Sequence, residues 1–225
     1  MRIVSGTHRS RQIQAPKNLP VRPTTDMAKE AIFNIMVNHF DLDDVVVLDL
    51  FAGTGNISYE FASRGALGVT SIDTELRCVD FIRSTAKTLG FEEILSFRSD
   101  AFRFLQNTQN TYDIIFCDPP YDLEGVDRIP VIVKERNLLR EGGWLIIEHS
   151  AKSDYKQSPG FTQQRKYGSV NFSIFTYPDV NSNEEGKDAV PENDSNEAGT
   201  NAFPENDSNT TGLDDNSTNV HDINE

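Results

Sequence analysis

The run Val45-Val46-Val47-Leu48-Asp49-Leu50-Phe51-Ala52-Gly53-Thr54-Gly55-Asn56 decides the fold. Its first six residues are apolar except Asp49 and rich in β-branched side chains, the pattern of a strand buried on both faces. Gly53 and Gly55 then permit a tight turn and a close backbone approach to a ligand. The helix expected next would present free amide groups at its start. Strand, glycine turn and helix in that order open a parallel sheet with crossover helices, and ligands bind such sheets beyond the carboxyl ends of the strands.

The alternation continues outward. Residues 69–73, 94–99, 112–118 and 144–148 are short apolar runs separated by helical segments, which predicts an α/β fold: a mostly parallel sheet with helices on both faces. Residues 161–166 and 170–177 flank Tyr167-Gly168-Ser169 and predict an antiparallel hairpin closing one edge. Upstream, Ala28, Ala31, Ile32, Ile35 and Met36 follow the spacing of one buried helical face. Thr24 or Thr25 is placed to cap that helix, and Asp26 and Glu30 suit its positive end. Residues 1–20 alternate weakly around a Gly-containing connection and end in Pro16 and Pro20, as a small N-terminal hairpin or arm would.

Three acids end the first three strands: Asp49, Asp73 and Asp100, the last followed by Ala101. Each has an alternative reading as a helix cap. Asp73 stands 18 residues after Gly55, where either NAD or S-adenosylmethionine would present its ribose hydroxyls. A dinucleotide loop requires a third glycine where this chain has Ser58. S-adenosylmethionine has no pyrophosphate and makes no such demand, so it is the expected cofactor. An Asp100 carboxylate could accept a hydrogen bond from its adenine amino group.

The fourth strand ends in Asp118-Pro119-Pro120-Tyr121. Two adjacent prolines impose an extended path without amide donors, so the Asp118 carboxylate and neighbouring carbonyls form an acceptor-only surface. An exocyclic amine is a poor nucleophile because its lone pair is delocalised into the ring. Acceptors on both its hydrogens, from Asp118 and the Pro119 carbonyl, would draw the nitrogen toward tetrahedral geometry and free that lone pair for a methyl group. Tyr121 offers a flat face for a base to stack on.

Charge divides the chain. Residues 181–225 hold twelve acidic residues against Lys187, with a single aromatic, Phe203, and a duplicated Pro-Glu-Asn-Asp-Ser-Asn unit at 191–196 and 204–209. Such a stretch cannot bury enough surface to offset its ordering entropy, so a disordered acidic tail is expected after a methyltransferase domain at 1–180. The net charge of −14 belongs mostly to that tail. In residues 1–40, by contrast, Arg2, Arg9, Arg11, Lys17, Arg22 and Lys29 face only Asp26 and Glu30, a basic region where a polyanion could dock. Arg2, Arg9, Arg11 and Arg22, all in the arm at 1–22, are the expected substrate contacts.

Cys78 and Cys117 are too few for a disulfide framework, and neither they nor the four histidines have metal-ligand spacing. No nucleophile elbow is present. No leader-like opening and no apolar run of about 18 residues occurs, so a cytoplasmic protein without a membrane partner or metal is expected.

Residues 48–55 followed by Asp118-Pro119-Pro120-Tyr121 resemble the amino-methyltransferases of the Rossmann-like class. The opening Met1-Arg2-Ile3-Val4-Ser5-Gly6, together with Arg22-Pro23-Thr24-Thr25-Asp26 running into Glu30-Ala31-Ile32-Phe33-Asn34, is similar to the RsmD family of bacterial enzymes that methylate guanine N2 in 16S ribosomal RNA. The resemblance covers residues 1–178. It implies a seven-stranded sheet with its last strand antiparallel, and S-adenosylmethionine as cofactor. Asp49, Gly53 and Gly55 would lie at its methionine part, Asp73 at the ribose, and Asp100 with Ala101 at the adenine. A nucleotide would be flipped to Asp118, Pro119 and Tyr121, with ribosomal RNA or a small-subunit particle as partner. Other amines compete: adenine N6 in RNA or DNA, and glutamine in protein. Adenine methylation of DNA generally needs a target-reading domain for which no stretch is long enough. A non-catalytic RNA-binding assembly factor is a second class, and loss of the Asp118 acid would have marked it.

Overall fold

A computed structural model describes residues 1–16 and 26–178. Arg22, the Thr24 or Thr25 cap and the acidic tail lie outside those residues. The described chain forms a seven-stranded sheet in the order β3-β2-β1-β4-β5-β7-β6. The central strands are β1 (Val46–Leu50), β2 (Gly68–Asp73), β3 (Ile94–Arg98), β4 (Tyr112–Cys117) and β5 (Leu139–His149), all mutually parallel. The edge hairpin is β6 (Phe161–Tyr167) and β7 (Val170–Phe175), and β7 inserts antiparallel beside β5. The expected seven strands with an antiparallel last strand are therefore present.

Helices cover both faces. α1 (Asp26–Met36), α2 (Asn56–Ser63) and α3 (Leu76–Leu89) pack on one, with Ile3 and Ile13 of the N-terminal segment in the same core. α4 (Ala101–Asn107) and α5 (Ile129–Glu135) pack on the other. Side chains alternate between faces along a strand. Val47, Val69, Phe116 and Ile146 belong to the first core, whereas Leu48, Leu50, Ile115, Cys117, Leu145 and Ile147 belong to the second. Counting on by twos, Asp49, Asp73, Asp118 and Glu148 all project to the face covered by α1, α2 and α3.

The expected face of α1 is corrected by one step. Ala28, Lys29, Ile32, Phe33 and Met36 are buried, while Ala31 and Ile35 lie at the margin. The helix turns because Phe33 packs on Phe61, with ring centroids 4.6 Å apart, and because Lys29 reaches Glu60 at 3.2 Å with both side chains fully buried. Lys29 therefore does not belong to a basic docking surface. Residues 1–13 form the expected small hairpin, with Arg2 bridged to Gln12 and the Ile13 amide donating to the Met1 carbonyl. At Gly6, φ is +83°, and a Cβ would stand 1.7 Å from the Ser63 carbonyl oxygen, so only glycine lets the hairpin lie this close to α2.

Candidate active site

β1 delivers its chain into a turn whose backbone is unusual from the first residue. Phe51 has φ +61°, Gly53 +55° and Gly55 +79°. A left-handed phenylalanine costs energy that the surroundings must offset, and Ala52 does so in part by donating to the Ile72 carbonyl of β2. Gly55 is required twice over: its φ is positive, and a Cβ would meet the Tyr59 ring at 2.8 Å and Ile82 at 2.9 Å. Gly55 also caps α2 with no side-chain hydrogen bond, so the helix starts with its amides directed at the turn.

Asp73 ties this turn to β2. One of its carboxylate oxygens accepts from the Gly53 amide at 2.8 Å and the other from the Glu75 amide at 2.8 Å. Its remaining lone pairs can still receive hydroxyl donors. Asp49 is 1% exposed and accepts from the Ser58 hydroxyl at 2.5 Å, and Ser58 lies 2.7 Å from the Ser71 hydroxyl. Ser58, the residue where a dinucleotide loop would need glycine, is thus the partner of the buried acid. Burial first, and the charges of Asp118 and Asp73 after it, push the Asp49 carboxyl up to about 7, against the pull of the Ser58 hydrogen bond.

Asp100 is exposed and caps α4, accepting from the Arg103 amide at 2.9 Å. The methyl of Ala101 is buried in the second core, which leaves only its main chain to meet a ligand. At β4, the Asp118 amide donates to the Leu50 carbonyl at 3.3 Å, continuing the ladder with β1 past the end of the strand. Asp118 is half-buried, Pro119 buried and Tyr121 46% exposed. The Tyr121 hydroxyl donates to Glu148 Oε1 at 3.3 Å. Glu148, nearly fully buried at the end of β5, was not singled out in the sequence. It reads there as the polar last residue of an apolar run, and only the β4–β5 register brings it beside Asp118.

Asp49, Asp73 and Asp118 thus gather at the carboxyl ends of β1, β2 and β4, around a glycine turn and the start of α2. Such a mouth attracts a cation and repels a pyrophosphate. On the other side of α2, the N-terminal hairpin is held by Glu60, which accepts from the Val4 amide at 2.8 Å and the Ser5 amide at 3.0 Å. Ser63 adds bonds to the Ser5 carbonyl at 2.7 Å and from the His8 amide at 2.9 Å. Arg9 and Arg11 are exposed on this hairpin, and Arg2 lies 3.5 Å from Asp26.

The fold is that of the class I S-adenosylmethionine-dependent methyltransferases. The solved structure of yhhF from Escherichia coli superposes with a TM-score of 0.70 at 23% identity, covering 78% of this chain and 96% of that one. SMU.776, solved in complex with SAH, superposes with a TM-score of 0.53 at 19% identity, over 68% of this chain and 50% of that one. The family model described as Conserved hypothetical protein 95 matches residues 1–176, and the chain belongs to that family, that of the RsmD methyltransferases. One relative, Ribosomal RNA small subunit methyltransferase D of Escherichia coli, is 32% identical over 148 residues, which are 66% of this chain and 71% of that protein.

Proposed function

We propose that this protein methylates the exocyclic N2 amine of a guanine in 16S ribosomal RNA, using S-adenosylmethionine, with ribosomal RNA or a small-subunit particle as its substrate. The observation that carries the reading is the position of Asp118-Pro119-Pro120-Tyr121: it leaves β4 beside the β1 turn, on the sheet face where Asp49 and Asp73 also project. Family membership and the small-subunit relative support an RNA methyltransferase.

The residues fit the cofactor. Its sulfonium and ammonium are both cationic and suit the acidic mouth, its carboxylate suits the positive amino-terminal end of α2, and the ribose hydroxyls can donate to Asp73. When bound, S-adenosylmethionine supplies a methyl group made electrophilic by the positive sulfur. In this reading, Gly53, Gly55 and Asp49 lie at its amino-acid end and Asp100 with Ala101 at the adenine.

The chain's own part in the chemistry is to prepare the amine. Asp118 and the Pro119 carbonyl accept its two hydrogens and localise the nitrogen lone pair, while the Tyr121 ring fixes the plane of the base. As the nitrogen becomes cationic, Asp118 stabilises the charge and takes the surplus proton. Arg2, Arg9, Arg11 and Arg22 supply phosphate contacts that position the RNA without reading its sequence.

The test is transfer of a labelled methyl group to small subunits lacking native methylation, to free ribosomal RNA, to DNA and to protein, with the product identified after digestion. N2-methylguanosine from the ribosomal substrate is expected. N6-methyladenine or labelled protein would overturn the substrate. Asp118→Ala should abolish transfer while leaving cofactor affinity within a few-fold, and Asp73→Ala should weaken cofactor binding first. Near-normal turnover by Asp118→Ala would remove the assignment.

A further inference from the structure

Glu148 stands apart from the cofactor acids in its place, its burial and its partner. Cys117 pairs with Ile147 in the β4–β5 register, so the next step along both strands sets Asp118 laterally beside Glu148. Alternation turns both side chains to the same sheet face. Glu148 is only 4% exposed, and the Tyr121 hydroxyl donates to its Oε1 at 3.3 Å. A carboxylate is costly to bury, so an acid held here at a strand end serves an interaction rather than packing.

Tyr121 needs such an anchor. It sits in the turn that follows the two prolines, closed by the Leu123 amide donating to the Pro120 carbonyl, and nearly half of its surface is exposed. A tyrosine ring exposed to this extent keeps its plane best when its far end is held. A hydrogen bond from its far end to a fixed carboxyl acceptor on β5 restricts the ring plane.

We infer that Glu148 is a positioning residue that holds the Tyr121 ring as a wall of the base pocket beside Asp118. The inference rests on the proposed stacking of the target base on Tyr121. Glu148 acts through the tyrosine hydroxyl: it sets where the base plane lies, and hence how well the amine meets Asp118. Placement errors of about 1 Å cost up to about a hundredfold in rate, so partial loss of the anchor is felt in turnover and not in cofactor binding.

A mutant cycle tests this with the labelled-methyl assay on small subunits. Tyr121→Phe and Glu148→Leu should each lower kcat/KM for the ribosomal substrate by roughly tenfold, and the double variant should be no worse than either, as expected of two residues acting as one unit. Glu148→Gln keeps an acceptor and should recover all but about threefold of the loss. Equilibrium cofactor affinity should stay within twofold in every variant. Multiplicative losses in the double variant, or a fall in cofactor affinity with Glu148→Leu, would overturn the inference. Should Glu148→Leu fail to fold, Glu148→Gln in the Tyr121→Phe background decides, since it should then have no further effect. The wild-type product nucleoside judges the guanine assignment separately: a different methylated base would displace that assignment and leave the cycle interpretable.

Discussion

Asp49 and Glu60 are both buried carboxylates, one at the carboxyl end of β1 and the other in α2, and they are provided for in opposite ways. Glu60 accepts from two hairpin amides, from Lys29 at 3.2 Å and from Arg64 at 2.9 Å. Lys29 in turn donates to the Arg2 carbonyl at 2.6 Å and to Asn56 at 2.9 Å. Asp49 accepts from the hydroxyl and the amide of Ser58, and the charges that act on it, Asp118 and Asp73, are of its own sign. A carboxylate surrounded by donors and cations joins elements of the fold. A carboxylate surrounded by acids is suited to receive a cation from outside, as the proposed cofactor would be. Burial alone does not separate these two roles; what surrounds the charge does.

Removing Glu60 should have the larger effect on stability. Glu60→Ala strands Lys29 and releases the hairpin amides, and breaking a buried pair from one side costs about 3 to 5 kcal/mol. At roughly 2 to 4 °C per kcal/mol for a domain of this size, the melting temperature should fall by roughly 6 to 20 °C. Replacing both partners, Lys29→Met with Glu60→Leu, should recover part of that loss, because no buried charge is then left between them. A Glu60→Ala protein that melts within 2 °C of wild type would break the comparison.

The opposite sign is expected at the other acid. In the unfolded chain Asp49 loses its proton near the ordinary aspartate value of 3.8, but in the folded protein it keeps it up to about 7. Between those values the folded state holds the additional proton, so stability falls as pH rises through this window and is flat above it. The deficit above pH 7 is on the order of 4 kcal/mol at most. Asp49→Asn should therefore match wild type in thermal melts at pH 4 and exceed it by several degrees at pH 8. Cofactor affinity should move the other way, rising with pH toward a plateau above 7 in wild type and staying weak and flat in Asp49→Asn. A lower melting temperature for Asp49→Asn at pH 8 would mean that Asp49 is stabilised by its setting after all.

The difference between the two carboxylates also marks what was legible in the sequence. The strands were, because runs such as 45–50 and 112–118 are largely apolar on both faces with an acid at or next to their ends, and the first strand runs into a glycine turn. Asp49, Asp73 and Asp118 were legible for the same reason: strand ends in a parallel sheet form an edge that periodicity alone locates. Glu60 and Lys29 were not, since a charged residue within a helical pattern reads as solvent-facing until its partner from another helix is known. By charge alone Lys29 counts toward a basic docking region, and only its pairing with Glu60 removes it. Glu148 is hidden by its place at the end of a strand run, and in the sequence Ser58 signals only that a dinucleotide loop's glycine is missing.

Asp100 lies between these extremes and offers the smallest effect. Its structural role is visible, a cap on α4 through the Arg103 amide, and its proposed role toward adenine uses the same carboxylate. Asp100→Ala removes both and should cost about 1 kcal/mol of stability. Asp100→Ser keeps a good cap and removes the charge, so it should melt within a degree of wild type. If the carboxylate also meets the cofactor, both variants should weaken binding of S-adenosylmethionine alike, by several-fold in calorimetry. If it only caps the helix, Asp100→Ser should bind as wild type does, and the acidic edge that receives the cofactor would then end at Asp73.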